Sequence, residues 1–384
     1  MAQTENLIAT EPVWIDDGAE LSRLCDQWCQ QAAIAVDTEF MRTTTFFPNA
    51  ALFQVGDGQG CYLIDPLAID DLGPFSRLLC DERVTKVMHS CSEDLEVFQS
   101  FLGVVPAPVF DTQIAAAFAG LGFSMGYARL VEASLGIEVA KSETRSDWLQ
   151  RPLSVSQMSY AALDVAYLPV IYGLLVKKLT EQQRLTWVLE ECAGVITAAK
   201  QEPDPETYYT KIKSAWKLNR QQLACLQMLA SWRECEARDR NIPRNRLIKE
   251  RTLWDMARLR PTEIKDLKRL EGMPPRTINS DGNELLEIID QAYRLPQEFC
   301  PHRLPRPLSP ESGDLVKSLK KVQQQFAEDL GVPPEILLRK KDIEFMVRAA
   351  LEQSCLSFPD NLKGWRQVLM GDALATEINS VIKK

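Results

Sequence analysis

With 384 residues, 45% apolar and 25% charged, the chain has room for two or three domains and an ordinary globular profile. That composition excludes a disordered chain and a small disulfide-stapled one. A net charge of −9 argues against a simple nucleic-acid binder, but its distribution reverses that argument. Residues 1–195 carry −14, and residues 211–295 carry +6. The only histidines are His89 and His302, so any metal must be held by carboxylates, which suit hard ions such as magnesium or manganese. The ten cysteines form no CxxC pair and read as reduced thiols of a cytoplasmic protein. The start, MAQTENLIAT, lacks a basic stretch followed by an apolar run. The most apolar segment, LDVAYLPVIYGLLV, is short for a membrane span and contains Asp164 and Pro169, so no membrane partner is expected.

In chain order, residues 34–37, 51–55, 61–65 and 84–88 read as short strands between turn signals. Helical spacing of apolar residues follows after Ser92, around 111–119 and around 124–135. Ser90 and Glu93 have the spacing of a capping box at the first of these helices. A longer helix over 156–178 should be kinked or interrupted at Pro169. This is an α/β domain, residues 1–195. Linkers at 196–210 and 296–310 then separate two all-helical domains, 211–295 and 311–384. NIPRNRLIKERTL and GVPPEILLRKKDI lie ninety residues apart and align, which predicts a duplicated helical module.

The chemistry sits in acids. Asp37 and Glu39 are two apart at a strand end, so both carboxylates leave the same face. Asp94 falls in the first turn of a helix, beside its positive end. Tyr160 and Asp164 are four apart and share a helix face. Taken singly, each has an ordinary explanation: a polar strand end, dipole compensation, a core tyrosine. An aspartate inside the apolar run from Ala161 to Leu175 is costly without a partner, and a cation would be one.

Taken in order, Asp-x-Glu-Phe on a strand, Asp in a following helix and Tyr-x-x-x-Asp on a later helix resemble the DEDD superfamily of 3′→5′ exonucleases, tyrosine subgroup. KSETRSDWLQRPLS, residues 141–154, resembles the ribonuclease D branch, and the helical repeats resemble HRDC domains. The resemblance implies a ribonuclease H-like fold, a mixed sheet flanked by helices, followed by two HRDC-type domains. It implies two divalent ions held by Asp37, Glu39, Asp94 and Asp164, with Asp37 shared, and a water oriented by Tyr160. The reaction implied is hydrolysis at RNA 3′ ends to nucleoside 5′-monophosphates, with tRNA precursors and other small structured RNAs as substrates. Lys141, Arg145 and Arg151 are candidate phosphate contacts, Trp148 a base or sugar contact, and His89 a further substrate contact. Arg238, Arg240, Arg244, Arg246, Lys249 and Arg251 form the densest basic run, a candidate RNA-guiding face. Two alternatives stand beside this reading: a DNA exonuclease using the same site, and an inactive RNA-binding adaptor. The adaptor is disfavoured because no ligand is missing.

Overall fold

The computed structural model describes residues 10–139, 146–353 and 357–382. The chain divides into two compact units. The first contains residues 1–41, 50–200 and 308–384, and the second residues 42–49 and 201–307.

The first unit is built on a six-stranded mixed sheet. Its strands are β1 (Pro12–Ile15), β2 (Ala33–Met41), β3 (Asn49–Gly56), β4 (Cys61–Ile64), β5 (Thr85–Met88) and β6 (Val109–Asp111), in the order β1-β4-β3-β2-β5-β6. β1 runs parallel to β4, and β5 runs parallel to both β2 and β6, while β3 and β4 are antiparallel. Alternation along β2 sends Ile34 and Val36 into one core and Ala35 into the other. The helices that cover these faces are α1 (Gly18–Trp28), α2 (Gly73–Leu79), α3 (Ser92–Leu102), α4 (Thr112–Phe118), α5 (Tyr127–Leu135), α6 (Val155–Ala166), α7 (Leu168–Glu181) and α8 (Leu185–Lys200). β1 and β6 escaped the sequence reading because strands of four and three residues are too short to show alternation.

Two expectations are corrected. Ser90 does not cap α3; its φ is 60°, and the N-cap is Cys91, with no side-chain cap. The buried Asp111 carboxylate does that work instead. It accepts from Ser90 N and Cys91 N (3.2 and 2.9 Å) and also caps α4 through Gln113 N and Ile114 N. A lone aspartate twenty residues on leaves no local spacing to read. The linker at 196–210 is helical at both ends, since α8 runs to Lys200 and a 3-10 helix spans Pro205–Lys211. The long helix is interrupted at Tyr167, as Pro169 led one to expect, and Pro169 takes its place in the first turn of α7. The stretch Val155–Glu181 is apolar enough on length and composition to cross a membrane. Here Ala161, Ala162, Val165, Ile171 and Leu175 are buried in the domain core.

In the second unit, α9 (Arg220–Asp239), α10 (Arg244–Leu247), α11 (Glu250–Leu259), α12 (Ile264–Leu267) and α13 (Pro275–Arg294) enclose their own apolar core. Residues 296–309 contain neither helix nor strand.

The chain then returns to the first unit with α14 (Gly313–Leu330), α15 (Pro334–Leu337), α16 (Lys340–Gln353) and α17 (Trp365–Ile382). α15 and α16 begin ninety residues after α10 and α11. The side-chain support repeats too. Arg233 donates to the Ile248 carbonyl, and Gln323, ninety residues later, donates to the Leu338 carbonyl. These last helices share a core with the sheet domain. Trp365 stacks on Trp187 with centroids 4.7 Å apart and meets Phe118 edge-on. Arg366 is ion-paired with Glu191, and Arg184 donates to the carbonyls of Phe118 and Leu330. The segment therefore belongs to the first compact unit.

The sheet meets the broken helix at one glycine. A Cβ on Gly56, the last residue of β3, would stand 2.6 Å from the Val165 carbonyl oxygen. That contact is backbone and cannot swing aside. Gly56→Ala is therefore expected to destabilise the first unit by about 1–3 kcal/mol, as overpacking does, measured by urea unfolding. It should also lower nuclease activity, because α6 carries part of the site described next.

Candidate active site

The strand runs further than the sequence reading had it: Asp37 stands at the middle of β2 and Glu39 two residues before its end, on the face that α6 and α7 cover, and both are half-buried. Asp94 is buried in the first turn of α3. Tyr160 and Asp164 lie one turn apart on α6, half-buried. Elements far apart in the chain thus bring all five side chains into one electrostatic neighbourhood.

The charges record that convergence. Burial first, and then the charges of Asp94, Asp164 and Glu39, push the Asp37 carboxyl well above the usual carboxylate range. Burial, with Asp164 and Asp94, raises Glu39 to about 9. Asp94 rises to about 7 through burial, against the lowering effect of its hydrogen bond from Thr38. Asp164 also rises to about 7 through burial, against the hydrogen bond from Tyr160. Burial and then the Asp164, Glu39 and Asp37 charges push the Tyr160 hydroxyl up. Among the described residues no lysine or arginine forms an ion pair with any of the four acids.

Such a donor set fits hard divalent cations: all oxygen, all anionic, uncompensated. The carboxylates do not already form a closed coordination sphere. Among the described residues, no three His, Cys, Asp or Glu side chains stand close enough together to hold an ion as they are.

Two supporting residues went unread in the sequence. Thr38 lies between the two acids of β2 but points to the opposite face, where its buried hydroxyl donates to Asp94 Oδ1 at 2.5 Å. Alternation along the strand was the available signal. Tyr127, at the start of α5, has its hydroxyl raised by burial and then by Asp164. Nothing in its sequence neighbourhood announces that role.

The candidate substrate contacts divide. Lys141 and Arg145 lie outside the described residues. Arg151 is fully committed to the protein: its five N–H donors go to both Asp65 oxygens and the carbonyls of Trp148, Gln150 and Ala51. The expected phosphate contact there gives way to a structural clamp. Trp148 is 3% exposed and packs against Tyr160 with centroids 6.1 Å apart, so it braces the tyrosine rather than meeting a base. His89 is half-buried, with Nδ1 2.9 Å from the Thr112 hydroxyl and Nε2 3.0 Å from the Met125 carbonyl, and both ring nitrogens are occupied. In the second unit, Arg244 is ion-paired with Glu234 and stacked on Phe46 and Tyr208. Arg238, Arg240 and Arg251 are also ion-paired. Arg246 and Lys249 are exposed.

Comparison with known proteins gives the family. A family model described as 3′-5′ exonuclease matches residues 12–180, and an HRDC domain model matches residues 222–289. The chain is 49% identical to a ribonuclease D of Pseudomonas paraeruginosa, over 97% of this chain and 99% of that one. It is 37% identical to ribonuclease D of Escherichia coli, over 92% and 95% of the two chains. The crystal structure of Escherichia coli RNase D, described as an exoribonuclease involved in structured RNA processing, superposes with a TM-score of 0.90 at 35% identity, covering 96% of this chain and 99% of that one. Identity at this level across nearly the whole length of both chains leaves one conclusion: the chain belongs to the ribonuclease D family and is a 3′→5′ exoribonuclease.

Proposed function

We propose that Asp37, Glu39, Asp94 and Asp164 hold two divalent ions, magnesium or manganese, and that Tyr160 orients the water that attacks the terminal phosphodiester of RNA. The observation that carries this reading is a group of four enclosed carboxylates with no described cation to balance them. When bound, such ions neutralise phosphate charge and align the attacking and leaving oxygens of an in-line displacement. The protein's own contribution is positional. β2 presents Asp37 and Glu39 together, Thr38 fixes one oxygen of Asp94, and α6 sets Tyr160 one turn from Asp164. Tyr160 is braced by Trp148 and held protonated at neutral pH, so it orients rather than attacks.

The substrates in this reading are 3′-extended tRNA precursors and other small structured RNAs in the cytoplasm, and the products are nucleoside 5′-monophosphates. The helices of 211–295 form one HRDC domain, and those of 311–384 a second HRDC-like one. Arg246 and Lys249 are the side chains of the basic run best placed to meet a phosphate backbone, being exposed. No required protein partner is evident in the sequence.

Three outcomes are expected. Asp37→Asn or Asp164→Asn should lower hydrolysis by at least about 10³-fold while circular dichroism stays native. Each should also raise the thermal midpoint of the metal-free protein by relieving like-charge repulsion, and blunt the further rise that manganese gives the parent. Full activity in either variant would sink the assignment. Tyr160→Phe should lose about 10²-fold in kcat yet keep manganese affinity, measured by titration. Finally, 3′-extended tRNA should shorten stepwise only with magnesium or manganese, and matched single-stranded DNA should not. Equal degradation of the DNA would move the substrate class.

A further inference from the structure

Residues 42–49 begin immediately after β2 and belong to the second unit. They form a strap that is tied down there. The Phe46 and Phe47 amides both donate to Asn241 Oδ1 at 3.0 Å. The guanidinium carbons of Arg238 and Arg244 lie 5.6 and 4.5 Å from the centre of the Phe46 ring. Between this strap and the helices α9, α10 and α11 lies a cleft of about 530 Å³, large enough for a small ligand or one segment of a larger one. Arg42, Arg233 and Arg244 line it, with Thr43, Asn245 and a single carboxylate, Glu250. Three guanidiniums against one acid leave the lining net positive.

Two of those guanidiniums have donors to spare. Arg244 spends Nε and Nη2 on Glu234 and the Tyr208 hydroxyl, and its Nη1 has no partner among the described residues. Arg233 is 3% exposed; its Nη1 donates to the Ile248 carbonyl at 3.0 Å, but its buried Nε has no hydrogen-bond partner among the described residues. A buried, partly unsatisfied charge is costly. The duplicated module shows that the fold does not demand it. Ninety residues on, Gln323 stands in the place of Arg233, neutral and satisfied by the carbonyls of Pro334 and Leu338 at 2.6 and 2.7 Å. Pro334 itself stands in the place of Arg244. The same turn thus forms without either guanidinium.

We propose that this cleft binds a nucleotide phosphate, with Arg233 and Arg244 donating to its oxygens from the helices and Arg42 from the strap. Guanidinium forks match phosphate oxygens in pairs, and the tied strap means that little has to be ordered on binding. Two molecules present this group: the RNA substrate, through an internal phosphodiester, and the free nucleoside 5′-monophosphate, the product proposed above. The inference rests on the RNA-cleaving activity and not on the four acids as metal ligands.

The test is Arg233→Gln in the full-length protein, the residue that the second module carries, so that the Ile248 carbonyl keeps a donor. Binding of 3′-extended tRNA and of AMP is titrated in EDTA for parent and variant. If RNA fills the cleft, the variant's dissociation constant for the tRNA rises about tenfold, the scale of one charge-assisted hydrogen bond. Its salt slope then falls by about one, and with manganese present KM rises while kcat stays near the parent's. If the free monophosphate fills it, the parent binds AMP in EDTA, the variant does not, and the tRNA titrations coincide. Arg42→Gln, on an exposed side chain outside the apolar core, should weaken the same ligand a few-fold. Titrations of both ligands that coincide with the parent's in both variants overturn the proposal. A lower urea midpoint for Arg233→Gln with unchanged binding does so too, since that is the result for a purely structural arginine. Asp37→Asn, assayed alongside, reports on the metal reading alone: full hydrolysis there would sink that reading and leave the Arg233 comparison standing.

Discussion

Repulsion among four carboxylates is the constraint around which the first unit is organised. Each acid is raised above its ordinary range chiefly by burial, and the charges of the others add to that effect at three of them most visibly: Asp37, Glu39 and Asp164. A fold that keeps such a group together without cations must hold it from outside. The holding elements come from every side: the central position of β2 between β3 and β5, the Thr38 hydroxyl on Asp94, Trp148 behind Tyr160, and Asp111 fixing the start of the helix that carries Asp94. Stability is given up at the site and recovered in the packing around it, as is usual for preorganised centres.

The broken helix is the second consequence. One straight helix over 155–181 would serve the core well, as its apolar composition shows. The break at Tyr167 lets α6 carry Tyr160 and Asp164 toward β2 while α7 packs against the sheet independently. Pro169 removes a reason for the chain to stay straight, and Gly56 on β3 makes room for the Val165 carbonyl.

The five site residues were legible because their order and local spacing are preserved in one dimension. Two residues apart on a strand and four apart on a helix are statements about faces that need no tertiary structure. The supports were not legible for the opposite reason. Asp111 reaches back twenty residues to Cys91, Thr38 reaches Asp94, and Tyr127 reaches Leu163, so each partnership exists only after folding. The Ser90 capping box shows the hazard in reverse: correct local spacing was overridden when a buried aspartate supplied a better acceptor. Arg151 shows the same hazard in the loop, since a guanidinium beside acids and aromatics reads as a phosphate contact until its five donors are counted.

Net charge needs the same correction. The +6 of residues 211–295 suggests a strongly attracting surface. Yet Arg238 and Arg244 share Glu234, Arg240 takes Asp281 and Glu236, and Arg251 takes Asp255. A guanidinium paired with a carboxylate contributes little field at a distance, so most of the basic run builds the helical domain rather than advertising it. Glu234 is itself buried, and removing it would leave two arginines competing for water in a half-enclosed space. Within that run, Arg246 and Lys249 are exposed and form no ion pair among the described residues. RNA affinity in this domain should accordingly depend on salt with the slope of a handful of contacts, not of the whole basic inventory.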